Sequence, residues 1–475
     1  MRAFIASSIG VVCAAAAVLP LSLPDGMTDS ASAAPASAPV PVTAPRLPGS
    51  TQSLPLVPLE PAPATPTATP PGSPESPEPP ESPDAVSLGL PARDVEPFAL
   101  LGVVWNEPEE ELHGRIQVRT KSATDGTWTS WQELEAHADA PDPASAEGGK
   151  GVRGGTAPLW VGASDGVQAR VVPERDEESG GWHKLPEGLR LELVDPGEAP
   201  ADDFTPQARA SSEANAALAP LGALEIPAQD QQETREDLPA VRDGAEAAGE
   251  EAAGEEAVDA ETVDAEAAGE EAGALAPIGP RPAIVTRRGW GADESIRGSF
   301  LYTNTVKVAF VHHTAMSNGY TCSQAPALIR GIYRYHVKSN GWRDVGYNFF
   351  VDKCGKIYEG RAGGVAKPVM GAHTYGFNAN STGIAVLGSF NSTNPPSAAV
   401  NAVSKLVAWK LGLHGVNPRG TAVMTSGGGK YAKGAQVRLQ TVSGHRDGYV
   451  TDCPGSRLYA KLGTIRESAA RLQGR

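Results

Sequence analysis

The sequence predicts a mixed α/β domain at the C-terminus, its helices covering a central sheet, preceded by a small all-β domain and disordered linkers. Three observations carry this. Short apolar or alternating runs over 86–200 follow the strand period, whereas 278–475 mixes strand and helix periods. Two stretches, 35–85 and 201–277, have almost no apolar periodicity. Charge divides at the same place. From Ile278 to Arg475 there are 25 Lys and Arg against 8 Asp and Glu, a balance of +17. The whole-chain formal charge of −16 therefore leaves −33 on residues 1–277.

At the N-terminus, Arg2 precedes a mostly apolar run from Ala3 to Leu23, and Ala31-Ser32-Ala33 forms a small-x-small cleavage pattern. Residues 1–34 read as a secretory signal, an uncleaved anchor being the alternative, with no membrane span left once the signal is cut. Cys13 lies inside that run as apolar filler. Residues 35–85, dense in Pro, Ser and Ala, read as an extended spacer that cannot bury a core.

Within 86–200, the runs FALLGVVW, HGRIQVRT, APLWVGA, GVQARVV and LRLELV are separated by Gly, Asp and Pro turns, as in a sandwich or barrel. Trp105, Trp128, Trp131, Trp160 and Trp182 are core aromatics or a sugar-stacking platform. His113, His137 and His183 show no ligand spacing. Residues 201–277 form an acidic linker in which AAGEEA occurs three times, with too little apolar surface to order it.

In the C-terminal region, Val306–His312 alternates like a strand and Ala325–His336 carries a helical stripe of Leu328, Ile332 and Tyr335. YNFFVDKCGKIYEG reads as two strands around a Cys-Gly turn, and GIAVLGSF as a buried strand. Ala398–Leu413 reads as an amphipathic helix, and a last helix runs from about Ser456 to Leu472. The basic balance suits an anionic polymer of the cell wall, anionic lipid or nucleic acid. No helix-turn-helix, zinc-finger or RNA-binding signature accompanies it, which argues against nucleic acid.

Without Cys13, the mature chain keeps Cys322, Cys354 and Cys453. An odd thiol outside the cell calls for an explanation. A Cys322–Cys354 disulfide with Cys453 on a metal accounts for all three. VAFVHHTA supplies His312 and His313, and SGHRDGYVTDCPG supplies His445 and Cys453. Neighbours on a strand point to opposite faces, so one histidine of the pair at most joins a given metal, and the pattern does not choose between them. Two imidazoles and a thiolate leave a fourth position open on zinc, which is the arrangement of catalytic rather than structural sites.

VHHTA, GWRDVGYNFFVDKCGKIYEGR, GAHTYGFNANSTGIAVLGSF and GHRDGYVTDCPG, in that order, resemble the peptidoglycan recognition protein family. That family shares its fold with the type 2, phage-lysozyme-type N-acetylmuramoyl-L-alanine amidases. The resemblance spans about Arg281 to Arg475 and implies Zn2+ held by His312, His445 and Cys453. It makes Tyr347 the catalytic tyrosine, and it places Thr451 where phage enzymes carry Lys, as a second catalytic residue whose hydroxyl holds the developing tetrahedral centre. It further implies that His313, His373, Arg361 and Asn378 line the substrate groove, with a purely structural hydrogen bond as the alternative for His313. Gly341-Trp342 matches the pair carried by members that favour diaminopimelate-type stem peptides. Asp447 and Asp452 flank ligands, Asp447 being a candidate partner for a ring N–H or a salt bridge. The activity implied is a secreted, cell-wall amidase cutting between the muramic acid lactyl group and L-alanine. The alternative is a peptidoglycan-binding protein that cleaves nothing.

Overall fold

The structure is a computed structural model that describes residues 49–59, 86–137, 140–142, 145, 147–149, 151–199, 204–252 and 276–475, without the side chains of 244–252. The signal expected over 1–34 lies outside the described residues, as do most of the Pro-rich stretch and two of the three AAGEEA repeats. Among the described residues, no helix is long and apolar enough to cross a membrane.

The N-terminal domain is one nine-stranded sheet. Its strands are β1 (Ser50–Pro55), β2 (Val57–Pro58), β3 (Leu88–Trp105), β4 (Gly114–Ser122), β5 (Gln132–Leu134), β6 (Ala136–His137), β7 (Gly154–Thr156), β8 (Leu159–Pro173) and β9 (Arg190–Asp195). The main order is β1-β9-β3-β8-β4-β5. The runs expected as separate strands at APLWVGA and GVQARVV fuse into β8. Gly162, at φ 75°, lets that strand turn without ending, and the β3–β8 register shifts beside Ser164. Trp105 is buried in the core beneath the sheet, while Trp128 is 37% exposed and Arg119 stacks over it at 5.2 Å. Arg170 stacks over Trp131 at 4.4 Å. The His113 and His183 rings stack on each other, 4.4 Å apart.

Two linker expectations are corrected. The spacer is not structureless throughout 35–85, because Ser50–Pro55 pairs antiparallel with β9 over six residues. β1 covers what would otherwise be the open edge of a strand whose Leu191 and Leu193 are fully buried. Nor is 201–277 disordered from its start. α1 (Pro206–Glu213), β10 (Glu225–Ile226) and α2 (Gln231–Ala252) occupy much of it. Leu218, Ile226, Leu238 and Val241 enter the C-terminal core beside Ile278, Leu406 and Trp409. These anchors are too sparse to register as a period, yet each is under 9% exposed.

The C-terminal elements are β11 (Ile284–Val285), α3 (Arg287–Trp290), β12 (Val308–His313), α4 (Ala325–Arg334), β13 (Phe349–Val351), β14 (Ile357–Glu359), β15 (Ser381–Val386) and α5 (Ser397–Leu413). They continue with β16 (Thr421–Thr425), β17 (Gln436–Gln440), β18 (Val442–Gly444), α6 (His445–Gly448), α7 (Ser456–Tyr459) and α8 (Leu462–Gln473). The central sheet runs β10-β11-β14-β13-β15-β12-β18 and is mixed: β13, β15, β12 and β18 are parallel neighbours, whereas β14 opposes β13. On one face, Val311, Phe349 and Ile384 pack among side chains of α5 and α8; on the other, Phe350 and Ala385 pack among those of α4. α5 is not amphipathic as expected, for even Lys410 is buried, donating to the carbonyls of Val365, Ala366 and Lys367 at 2.8, 3.0 and 2.7 Å. Burial pulls its pKa down to about 7. The last helix is broken between α7 and α8.

The two domains share a core. Leu100, Val104 and Val194 of the N-terminal sheet join Leu328, Ile332 and Tyr335 in one apolar cluster, and Tyr335 Oη donates to Val103 O and Thr156 O. Beside this cluster, Arg287 is buried with its charges paired. Its Nε donates to Glu294 at 2.7 Å, and its Nη1 donates to Asp344 at 3.1 Å and to Gly360 O. Burial alone would lower its pKa, but Asp344 and Glu294 hold it well above the usual value.

Cys322 and Cys354 are joined in a disulfide that ties the start of α4 to the β13–β14 turn across 32 residues. Replacing both with serine is expected to cost about 3 kcal/mol of stability, read as a lowered urea midpoint. A loss below about 1 kcal/mol would show that the bridge contributes little.

Candidate metal centre

β12 and β18 run side by side with Val311 opposite Gly444, so the residues that follow these two, His312 on β12 and His445 at the start of α6, emerge at the same end of the sheet. Their rings lie 4.5 Å apart. α6 then turns the chain back, and Arg446 N donates to Cys453 O at 3.0 Å. Cys453 Sγ lies 3.8 Å from His312 Nδ1. Ligand atoms of His312, His445 and Cys453 all fall within 4.8 Å of one another, and all three residues are fully buried. His313 points to the other face of β12, next to Phe390. Among the described residues Asp447 pairs with neither a histidine ring nor a cation: Oδ2 accepts from Gly444 N at 2.8 Å and Oδ1 from Tyr459 Oη at 2.7 Å, which fixes the turn. Arg446 donates to the backbone oxygen of Asp452.

The donor set suits zinc. A nitrogen at about 2.1 Å and a sulfur at about 2.3 Å from a tetrahedral zinc stand about 3.6 Å apart, close to the observed 3.8 Å. Thr374 Oγ1 lies 3.5 Å from His312 Nε2 and 3.0 Å from His373 Nδ1, so one hydroxyl orients two imidazoles. Sequence reading missed Thr374, although it adjoins His373 in GAHTYGFN. Thr451 Oγ1 accepts the N–H of Cys453 at 3.2 Å. The Tyr347 ring is buried 5.3 Å from that of His312 and edge-on to Phe350. His336 Nδ1 accepts from Gly346 N at 3.0 Å, which fixes the loop before Tyr347.

The remaining predicted residues gather around this centre, several of them held by the N-terminal domain. His373 lies 5.2 Å from His312, ring to ring. Asn378 Oδ1 accepts from His373 N and Thr374 N at 2.7 and 2.9 Å, while its Nδ2 donates to Ala140 O and to Asp142 Oδ1. Burial pushes the Asp142 carboxyl up to about 6, against hydrogen bonds from Gly376 and Asn378 that pull it down. Arg361 pairs with Glu147 at 2.6 Å, and His313 Nε2 lies 3.5 Å from Glu135 Oε2. Trp342 is buried against His336, ring centroids 4.3 Å apart. Gly341, at φ 76°, stands where a Cβ would come within 2.2 Å of Gly151 O. No motif announces Glu135, Asp142 or Glu147, because their contacts span more than 170 residues of chain.

Residues 302–456 match the family described as N-acetylmuramoyl-L-alanine amidase, and 58–211 match one described as Rv3811 N-terminal galactose-binding domain-like. Peptidoglycan-recognition protein SC2 of Drosophila melanogaster is 31% identical over 184 residues, 38% of this chain and 85% of that protein. The chain belongs to the peptidoglycan recognition protein family. Peptidoglycan recognition protein 1 of Bos indicus is 32% identical over 178 residues, 37% of this chain and 80% of its own length. Among solved structures, wild-type Drosophila PGRP-LB is similar at 26% identity and a TM-score of 0.31, over 38% of this chain and 92% of that one. The family similarity lies in the C-terminal domain; the galactose-binding-like match begins at residue 58, within the stretch expected to be spacer, and ends within α1.

Proposed function

We propose that the protein is a zinc-dependent N-acetylmuramoyl-L-alanine amidase, secreted to the cell wall, that cleaves the amide between the lactyl group of muramic acid and L-alanine. The donor set carries this reading: His312, His445 and Cys453 converge, and Tyr347 stands beside them. Zinc bound there would supply a water with its pKa lowered to about 7 and a Lewis acid for the amide carbonyl. The chain's own residues supply the rest. The Thr374 hydroxyl holds the Nε2 side of His312, which leaves Nδ1 facing Cys453. Thr451 braces the backbone of Cys453, and Asp447 sets the turn that delivers His445. The Tyr347 phenol, its ring 5.3 Å from that of His312, would donate to the oxygen that gains charge as the carbonyl becomes tetrahedral. The +17 balance of residues 278–475 supports attraction to anionic wall polymers, and Gly341-Trp342 supports a preference for diaminopimelate-type peptides.

Chelator treatment followed by zinc add-back tests the reading on a soluble muropeptide. Release of free L-alanine amino groups should stop and then return. A muropeptide bound but never cut, with or without zinc, would make the protein a wall-binding module. Tyr347→Phe is expected to lower kcat by about 10²–10³ with zinc content unchanged; full turnover would remove the phenol from the scheme.

A further inference from the structure

The predicted metal ligands are buried, and residues of the N-terminal domain pack on side chains around them. His312, His373, His445 and Cys453 are each 0% exposed, and a wall polymer cannot reach residues so placed. The N-terminal side chains that engage the predicted groove residues are acidic. Glu147 takes Arg361 with both carboxylate oxygens, at 2.6 and 3.4 Å, each side chain at most 4% exposed. Asp142 Oδ1 accepts from Gly376 N at 2.5 Å and from Asn378 Nδ2 at 3.1 Å. Glu135 lies against His313 and accepts from Asn391 Nδ2 at 2.8 Å. Gly151 brings its backbone onto Gly341, next to Trp342.

We propose that Glu135, Asp142 and Glu147 act as a built-in pseudosubstrate, occupying the groove where an acidic stem peptide binds, so that peptide and N-terminal domain compete for the same donors. The inference rests on the amidase reading above. It follows from the chemistry of the donors. A buried guanidinium is costly without an anion, and a carboxylate gripped by both of its nitrogens is its best partner. A ligand that replaces Glu147 and keeps Arg361 buried is therefore favoured when it brings a carboxylate. The amide N–H of Gly376 and the Nδ2 of Asn378 likewise need a new acceptor once Asp142 leaves. A neutral glycan fragment can offer acceptors to Gly376 and Asn378 but no anion to Arg361, whereas a peptide bearing several carboxylates offers both. In the covered state the groove is closed, and apparent affinity is reduced by the fraction of molecules that are open.

The experiment uses the zinc-loaded full chain and a soluble muramyl tripeptide carrying diaminopimelate. The Asp142→Asn/Glu147→Gln variant should bind it about tenfold more tightly or better than wild type, and cleave it faster at limiting substrate. Because the variant could lose stability, hydrogen exchange on wild type provides a second reading. Saturating muropeptide should strip protection from the amides of Gly148, Gly149, Val152 and Arg153, each hydrogen-bonded in the covered state. Equal affinities with unchanged exchange would overturn the pseudosubstrate and leave the amidase reading intact. Absence of binding and cleavage in both proteins would overturn the reading of the groove, and this inference with it.

Discussion

Replacing Cys453 with serine is expected to empty the zinc site and to slow amide cleavage by on the order of 10³-fold or more. A thiol with a pKa near 8.5 gives up its proton to a metal readily, whereas a serine hydroxyl does not. The change removes little volume, so the loss would be chemical rather than a cavity effect. The sulfur also accepts the N–H of His313 at 3.4 Å, an interaction that oxygen can replace at shorter range only by a shift of the chain. Three measurements check the expectation. Metal analysis should fall from one zinc per chain to none. Added zinc should raise the melting temperature of wild type and leave that of the variant unmoved, since a ligand stabilises only the state that binds it. Muropeptide cleavage should disappear. A variant that keeps its zinc and its turnover would exclude Cys453 from the centre and remove the central support for hydrolysis.

Arg287→Met is expected to destabilise the fold by about 3–5 kcal/mol. The side chain is 1% exposed, and its loss leaves Asp344 and Glu294 buried with less positive charge around them. Glu294 keeps Arg297 at 2.6 Å, whereas Asp344 keeps only the N–H groups of Val345 and Ala362 among the described contacts. Gly360 O would lose a donor as well. The urea midpoint should fall with little change in slope. Arg287→Lys should not rescue the protein, because one ammonium cannot reach carboxylates and carbonyl in the geometry of a planar fork. Adding Asp344→Leu to Arg287→Met should recover part of the loss, since replacing both partners removes the stranded charge. A loss under about 1 kcal/mol for Arg287→Met would refute this account.

The local part of the site was legible in the sequence. β12, the two strands around Cys354 and the ligand-bearing segment at 443–455 follow from short-range alternation and from motif spacing. The choice between His312 and His313 came only from the family resemblance and not from alternation, because it depends on which face of β12 meets the return of the chain at Cys453. Thr374 was passed over because a threonine beside a histidine carries no signal until the ring beyond it is known. The ordered parts of the linkers were hidden for another reason. Leu54 in the spacer, and Ile226 and Leu238 in the acidic stretch, stand in apolar clusters of a few residues interrupted by Pro or Glu, too short to carry a period, and they gain structure from a strand edge or helix face supplied elsewhere. The burial of Arg361 by Glu147 joins residues 214 apart and so lies beyond any window of periodicity.

Tyr335 inserts its hydroxyl between carbonyls of β3 and β7, and Leu328 and Ile332 lean on Leu100 and Val104. Cutting the chain near residue 278 to isolate a minimal catalyst would lay bare this seam of greasy side chains and strand a phenol. Such a fragment should prove sticky in solution, and its behaviour would report the wound rather than the intact protein.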